Sequence, residues 1–190
     1  MKMTAFEKRL VNAAAHSRHV AEQAVRRLGC VPLQPGWSYL DVGCGNGLAT
    51  LHVAGTLGLR GVGVDMDPAQ IELARRAAGN RTDVSFVIGS ATELPFPTAG
   101  FEIVSTNKTM HHVPEWRLAL DEITRVVAPG GYLVFADLNA PLVLAPLLRP
   151  TLGHVAGVFT RHDLDRCFSG LRDVHRRARW LHYEAVFVKP

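Results

Sequence analysis

The chain of 190 residues reads as one doubly wound α/β domain, a mostly parallel seven-stranded sheet with helices on both faces and a closing antiparallel hairpin. Three observations predict it. Short apolar runs alternate with segments of helical period between Tyr39 and Ala136, the pattern of strands joined by right-handed crossovers. The first run, residues 39–42, breaks at once into Gly43, Gly45 and Gly47 and re-enters a helix, which makes a ligand-binding turn. The strand ends carry Gly43, Asp65, Ser90, Asn107 and Asp137, so polar or flexible residues gather at one edge of the sheet. Ligands of open α/β sheets sit at that edge.

The elements follow in order. Thr4 and Glu7 form a capping box, and Phe6, Leu10, Ala14, Ala21, Ala24 and Leu28 recur at helical spacing. The spacing predicts an amphipathic helix over 4–28, which Gly29 terminates. Pro32, Pro35 and Gly36 complete an N-terminal helix and linker, 1–36, leaving 37–190 as the ligand-binding domain. Residues 48–57 form the helix after the glycine turn, and Arg60 to Val64 a second strand ending at Asp65. Asp67 caps the next helix, with Pro68 at its first position and Ile71, Ala74 and Ala78 inside. Val84 to Ile88 and Phe101 to Thr106 are further strands, separated by a Pro- and Thr-rich loop. Trp116, Leu120, Ile123 and Val127 make a helical stripe. Pro129-Gly130-Gly131 reads as a turn before a fifth strand, Tyr132 to Ala136. Thr160 and Asp163 open a short helix ending near Gly170, and Leu171–Arg179 with Tyr183–Val188 form the hairpin.

Composition excludes several classes. Hydrophobic residues make up 47% and charged residues 20%, ordinary for a globular protein. No apolar run approaches the roughly 20 residues of a membrane helix. Lys2, Glu7, Lys8 and Arg9 do not fit a signal peptide. Cys30, Cys44 and Cys167 are scattered, which points to a reducing cytoplasm and offers no metal-ligand spacing. His16 and His19 lack a third ligand. The net charge of +4 and pI near 9.3 raise nucleic acid as a partner. However, Arg176, Arg177 and Arg179 are the only tight cluster, and they read as a solvated basic edge.

The glycines are spaced G-x-G-x-G, with Leu48 where a dinucleotide fingerprint needs its last glycine. Leu40 to Gly47, Gly63 to Pro68, Gly89 to Pro97 with Phe101 to Val104, His111 to Pro114, and Arg125 to Gly131 stand in this order. Together they resemble the class I S-adenosylmethionine-dependent methyltransferases over roughly residues 37–138. The resemblance implies a Rossmann-like methyltransferase fold, S-adenosyl-L-methionine as cofactor and S-adenosyl-L-homocysteine as product. It further implies that Gly43, Cys44, Gly45 and Gly47 cradle the amino-acid end and ribose, and that Asp41 holds the loop and meets the ammonium. Asp65 would accept from the ribose hydroxyls, with a helix-capping role as the alternative, and Met66 would lie on the adenine. Ser90, Ala91 and Asn107 complete the implied cofactor set. Here the chain departs from its relatives, which commonly have Gly-Asp-Ala where it has Gly89-Ser90-Ala91. A serine cannot supply the charge-assisted bond of an aspartate to the adenine amine.

The chemistry asks mainly for alignment, since a sulfonium already activates its methyl group. A protonated acceptor also needs a base, and His111, His112 and Asp137 stand at the right edge for it. The expected acceptor is a small molecule with an apolar body, walled by Leu142, Leu144 and Leu147 from the proline-broken stretch 138–158. Two alternatives stand. An RNA-modifying enzyme is disfavoured because Asn107-Lys108-Thr109-Met110 replaces the Asn/Asp-Pro-Pro-aromatic of exocyclic-amine enzymes. A non-catalytic S-adenosylmethionine-binding scaffold is kept open by Ser90.

Overall fold

The computed structural model describes residues 14–139 and 159–190. The Thr4–Glu7 capping box and Leu142, Leu144 and Leu147 lie outside those residues. The described part contains α1 (Ala14–Leu28), β1 (Ser38–Val42), α2 (Leu48–Leu57), β2 (Arg60–Asp65), α3 (Pro68–Ala78), β3 (Val84–Ile88) and β4 (Phe101–Asn107). After a one-turn 3-10 helix, Met110–His112, come α4 (Trp116–Val126), β5 (Val127–Leu138), α5 (Arg161–Cys167), β6 (Arg172–Arg179) and β7 (His182–Val188).

The strands form one seven-stranded sheet in the order β3-β2-β1-β4-β5-β7-β6. The first five are parallel, and β7 pairs antiparallel with both β5 and β6. The expected doubly wound sheet with its closing hairpin is therefore present. Chain order reverses between β1 and β4, and a crevice opens at the carboxyl ends of strands at such a switch point.

Side chains alternate between the two faces, as strand geometry requires. Leu133 and Phe135 of β5 join Phe187 of β7, Trp116 and Ile123 of α4, Leu164 of α5 and Phe168 just beyond it on one face. Val134 and Val186 point the other way, onto Ala24 and Leu28 of α1. Ile71 and Ala74 of α3 pack with Leu51, Val84 and Phe86 at the far end. Both sequence-visible caps form. Asp67 accepts from the Ala69 N–H at 3.0 Å, and Thr160 and Asp163 make a reciprocal capping box.

One element differs from its expectation. The stripe through Val127 suggests helix, yet α4 ends at Val126 and β5 already begins at Val127, paired with Phe101. Pro129–Gly131 is no detached turn. Gly130, at φ 74°, donates to the Lys189 carbonyl at 2.8 Å, and Lys189 donates back to Gly131 at 2.9 Å. The Lys189 ammonium also bonds the Thr124 and Val127 carbonyls at 2.9 and 2.8 Å, supplying donors that the end of α4 lacks. This distant partner makes the segment a continuous, bulged strand.

Candidate functional site

The turn from β1 into α2 is shaped by contacts that tolerate no side chain. Gly43 has φ 78°, and a Cβ there would enter the Thr109 side chain. Gly47, at φ 74°, would put a Cβ 2.6 Å from Phe86 and from Ala74 of α3. Glycine at 43 lets the loop after β4 close on the turn, and glycine at 47 lets α2 begin against α3.

Two carboxylates hold this turn. Asp65 accepts the Gly45 N–H through Oδ2 at 2.9 Å and the Asp67 N–H through Oδ1 at 2.9 Å. It thereby ties the glycine turn to the start of α3, while Asp67 serves as the cap. A carboxylate accepts at up to about four sites, so these bonds are compatible with accepting from a diol. Asp41 is buried. It accepts from the Thr50 hydroxyl at 2.6 Å and the Ser105 hydroxyl at 3.1 Å, joining α2 to β4. Burial pushes its carboxyl above the usual range, against the pull of those two hydroxyls. Burial likewise raises the Cys44 thiol well above its ordinary value, so Cys44 serves as packing rather than as a nucleophile.

Two cavities flank the turn, and Gly43 lines both. The larger, about 350 Å³, is walled by Asp65, Met66, Ser90, Ala91, Thr92 and Thr109, with His112 at its side. Met66 is 65% exposed there, offering its thioether as a flat apolar surface. The Ser90 hydroxyl is engaged within its own loop, 2.7 Å from that of Thr92, and it accepts the Thr92 N–H at 3.2 Å. The smaller cavity, about 90 Å³, lies under α1 between Ala24, Arg27, Asp41, Asn46, Thr106 and Asn107. Both ends of the buried Asn107 amide and the Thr106 hydroxyl lack hydrogen-bond partners among the described residues.

The histidines separate. His111 is buried, its Nδ1 2.6 Å from Asp137 Oδ1. Asp137 is fully buried and also accepts the N–H groups of Met110 at 2.7 Å and Leu138 at 2.6 Å. The pair is an anchor for the 3-10 turn. His112 lines the larger cavity, its ring lying on His111 with centroids 3.9 Å apart. Sequence reading missed Thr92 and Thr109, which carry no motif of their own. It also missed Arg27, whose partner Glu184 is distant in the chain. Among the described residues no cluster of His, Cys, Asp or Glu could hold a metal. No helix among them is long and apolar enough to cross a membrane.

This geometry suits a nucleoside with a charged amino-acid tail. The larger cavity supplies a carboxylate, an apolar surface and hydroxyls, while the smaller supplies buried charge and an amide with unmet bonds.

Residues 40–135, about half of the chain, match the family model described as a methyltransferase domain. The chain is 34% identical over 125 residues to the 27-O-demethylrifamycin SV methyltransferase of Amycolatopsis mediterranei, covering 61% of this chain and 46% of that protein. It is 34% identical over 115 residues to the demethylmenaquinone methyltransferase of Shouchella clausii, covering 58% of this chain and 49% of the other. This chain thus spans about half the length of these curated relatives. The fold matches a chain from the complex of the Haloferax volcanii Trm112 methyltransferase activator with a methyltransferase. There the TM-score is 0.78 at 21% identity, over 98% of this chain and 95% of the other. It also matches a geranyl diphosphate methyltransferase in complex with SAM, with TM-score 0.76 at 15% identity over 94% and 92%. This chain belongs to the methyltransferase-domain family.

Proposed function

We propose that the chain transfers a methyl group from S-adenosyl-L-methionine to a small molecule with an apolar body, releasing S-adenosyl-L-homocysteine. The carrying observation is the glycine turn, held by Asp65 between two cavities of unequal size. The residues fit the donor. The cradle at Gly43 and Gly47 closes only without a Cβ, and the unmet Asn107 amide faces the smaller cavity. Asp65 would accept from the ribose hydroxyls, Met66 would lie on the adenine, and Gly43 and Gly45 would pass the chain between the cavities. Bound there, the sulfonium supplies an activated methyl group, and the protein's contribution is alignment. His112 stands on the cavity wall, where it can take a proton from a hydroxyl acceptor. Asp137 and His111 hold the turn that presents it.

The relatives named as rifamycin and menaquinone-precursor methyltransferases support an acceptor of apolar, ring-containing type. The cytoplasm as its location rests on the three scattered cysteines, all free. Calorimetric titration with S-adenosylmethionine is expected to show one saturable site, and a labelled methyl donor should mark an aromatic or polyketide hydroxyl acceptor. A folded chain that gives no binding heat at any concentration would end the proposal.

Ser90 gives a narrower test. Its hydroxyl is shared with Thr92, so position 90 offers the adenine amine no charged acceptor. Ser90→Asp is expected to preserve or tighten donor binding and to create a preference for adenosyl over inosyl analogues. Loss of binding by a folded Ser90→Asp variant would show that position 90 faces something other than that amine.

A further inference from the structure

The turn between β6 and β7 breaks a local rule. It has two residues, Trp180 and Leu181, between Arg179 and His182. Two-residue hairpin turns ordinarily take Asn, Asp or Gly, whose backbones suit the bend and whose side chains suit water. Here the bend carries a Trp 72% exposed, the most exposed large apolar side chain among the described residues, and a Leu 55% exposed. Single exposed apolar residues are ordinary, but these have company. Leu138, the last residue of β5, stands opposite His182 and is exposed too. The Asn139 N–H donates to the Leu181 carbonyl at 3.3 Å, tying the two segments together. Three large apolar side chains therefore gather at one corner of the sheet, and none of them belongs to a core cluster.

The corner is also basic. Opposite residues of neighbouring strands share a face, so Leu138, His182 and Arg179 stand on one face, with Arg177 opposite Glu184 beside them. No Asp or Glu occurs between Val174 and Tyr183. The nearby acids are spoken for, Glu184 by Arg27 and both Asp165 and Asp173 by Arg176. Arg177 and Arg179 are exposed and have no ion pair among the described residues. Lys108, just after β4, adds a further cation. Burial, with the charges of Arg27 and Lys108, holds the His182 imidazole below its usual range against the pull of Glu184.

An indole and two leucines set among free arginines match one kind of surface. Trp settles at the boundary of water and hydrocarbon, Leu enters the hydrocarbon, and arginines pair with the phosphates of anionic lipids. A nucleic-acid backbone would use the arginines and the indole but leave both leucines in water. The place fits as well, since the turn lies at the carboxyl edge of the parallel strands, the edge that carries the glycine turn. We propose that the Trp180–Leu181 turn docks the protein on an anionic lipid surface, so that an apolar acceptor reaches the site from the bilayer. The route for the acceptor rests on the small-molecule reading above, and the docking does not.

The test is co-sedimentation with vesicles of phosphatidylcholine alone and of an equimolar mixture with phosphatidylglycerol. The wild-type protein should bind the mixed vesicles, bind the neutral ones weakly, and come off the mixed ones as salt screens the charges. Its fluorescence should shift to the blue on binding. Trp116 is buried and Trp37 half-buried, so that shift reports Trp180. Trp180→Ala with Leu181→Ala should weaken vesicle binding by about tenfold or more, the share of one buried apolar side chain. Arg177→Gln with Arg179→Gln should weaken it by about fivefold per charge. All four positions are exposed, so thermal melts and S-adenosylmethionine titrations of both variants should match the wild type. No sedimentation of the folded wild-type protein with mixed vesicles, or sedimentation that survives both double variants, would overturn the docking and leave the methyl-transfer reading standing. A wild-type dimer in ultracentrifugation that Trp180→Ala with Leu181→Ala dissolves, without vesicle binding, would assign the corner to a second copy and overturn it likewise. Vesicle binding by a protein that gives no heat with S-adenosylmethionine would instead strike the acceptor route together with the methyl-transfer reading.

Discussion

Asp65→Ala is expected to weaken S-adenosylmethionine binding by roughly tenfold to several-hundredfold. A charge-assisted bond from a ribose hydroxyl to a carboxylate contributes on the order of 1.5–3 kcal/mol, roughly tenfold to a hundredfold at 1.4 kcal/mol per decade, and the second hydroxyl carries the loss to the upper end of that range or beyond it. The structure adds a second cost. Asp65 also receives the Gly45 and Asp67 N–H groups, so its loss loosens the turn that must cradle the ligand. Asp65→Asn should show the same two effects. The amide keeps the shape and one acceptor but turns its NH₂ toward donors, so turn and ligand should both suffer. Calorimetry alongside a thermal melt decides, and an unchanged dissociation constant in a folded Asp65→Ala protein would remove Asp65 from the site.

The two neighbouring histidines should fail in different ways. His112→Gln, on the cavity wall, is expected to lower the rate with a hydroxyl acceptor by roughly 10²–10⁴ while donor affinity stays nearly intact. Removing the carboxylate behind His111 is a matter of stability. Asp137→Ala strands the Met110 N–H and the His111 ring nitrogen in a buried place and takes the acceptor from the part-buried Leu138 N–H. At about 1–3 kcal/mol for each unsatisfied group, the expected loss is on the order of 3–5 kcal/mol, a large part of a domain's stability. Urea titration reads that loss, and single-turnover methyl transfer reads the other. Wild-type turnover of a hydroxyl acceptor by His112→Gln would exclude it as the base. An unshifted urea midpoint for Asp137→Ala would remove the anchor.

Sequence pattern reached the parts of this molecule that local chemistry determines. The Asp67 cap, the Thr160–Asp163 box and the glycine turn are each decided within a few residues, and each stands where the pattern put it. It could not separate His111 from His112, because only the register of β5 against β4 brings Asp137 beneath one of them. Arg27 was invisible for a similar reason, since the hairpin that carries Glu184 lies at the opposite end of the chain. The beginning of β5 at Val127 depends on Lys189, again a partner that no local window contains.

The order of the sheet has a consequence for the molecule in concentrated solution. Among the described residues it ends on β6, which has a neighbouring strand on one side alone, and such edges invite a second copy to add itself. Arg172, Arg177 and Arg179 stand along that strand with His175 and are exposed. Two copies meeting β6 to β6 would bring together strands that each carry four arginines and one aspartate, Asp173, and like charges directly opposite are destabilising. The basic edge would then act within the fold as a guard against ribbon-like self-association. Its protection should fade in high salt, where screening shortens the reach of each charge to a few ångströms.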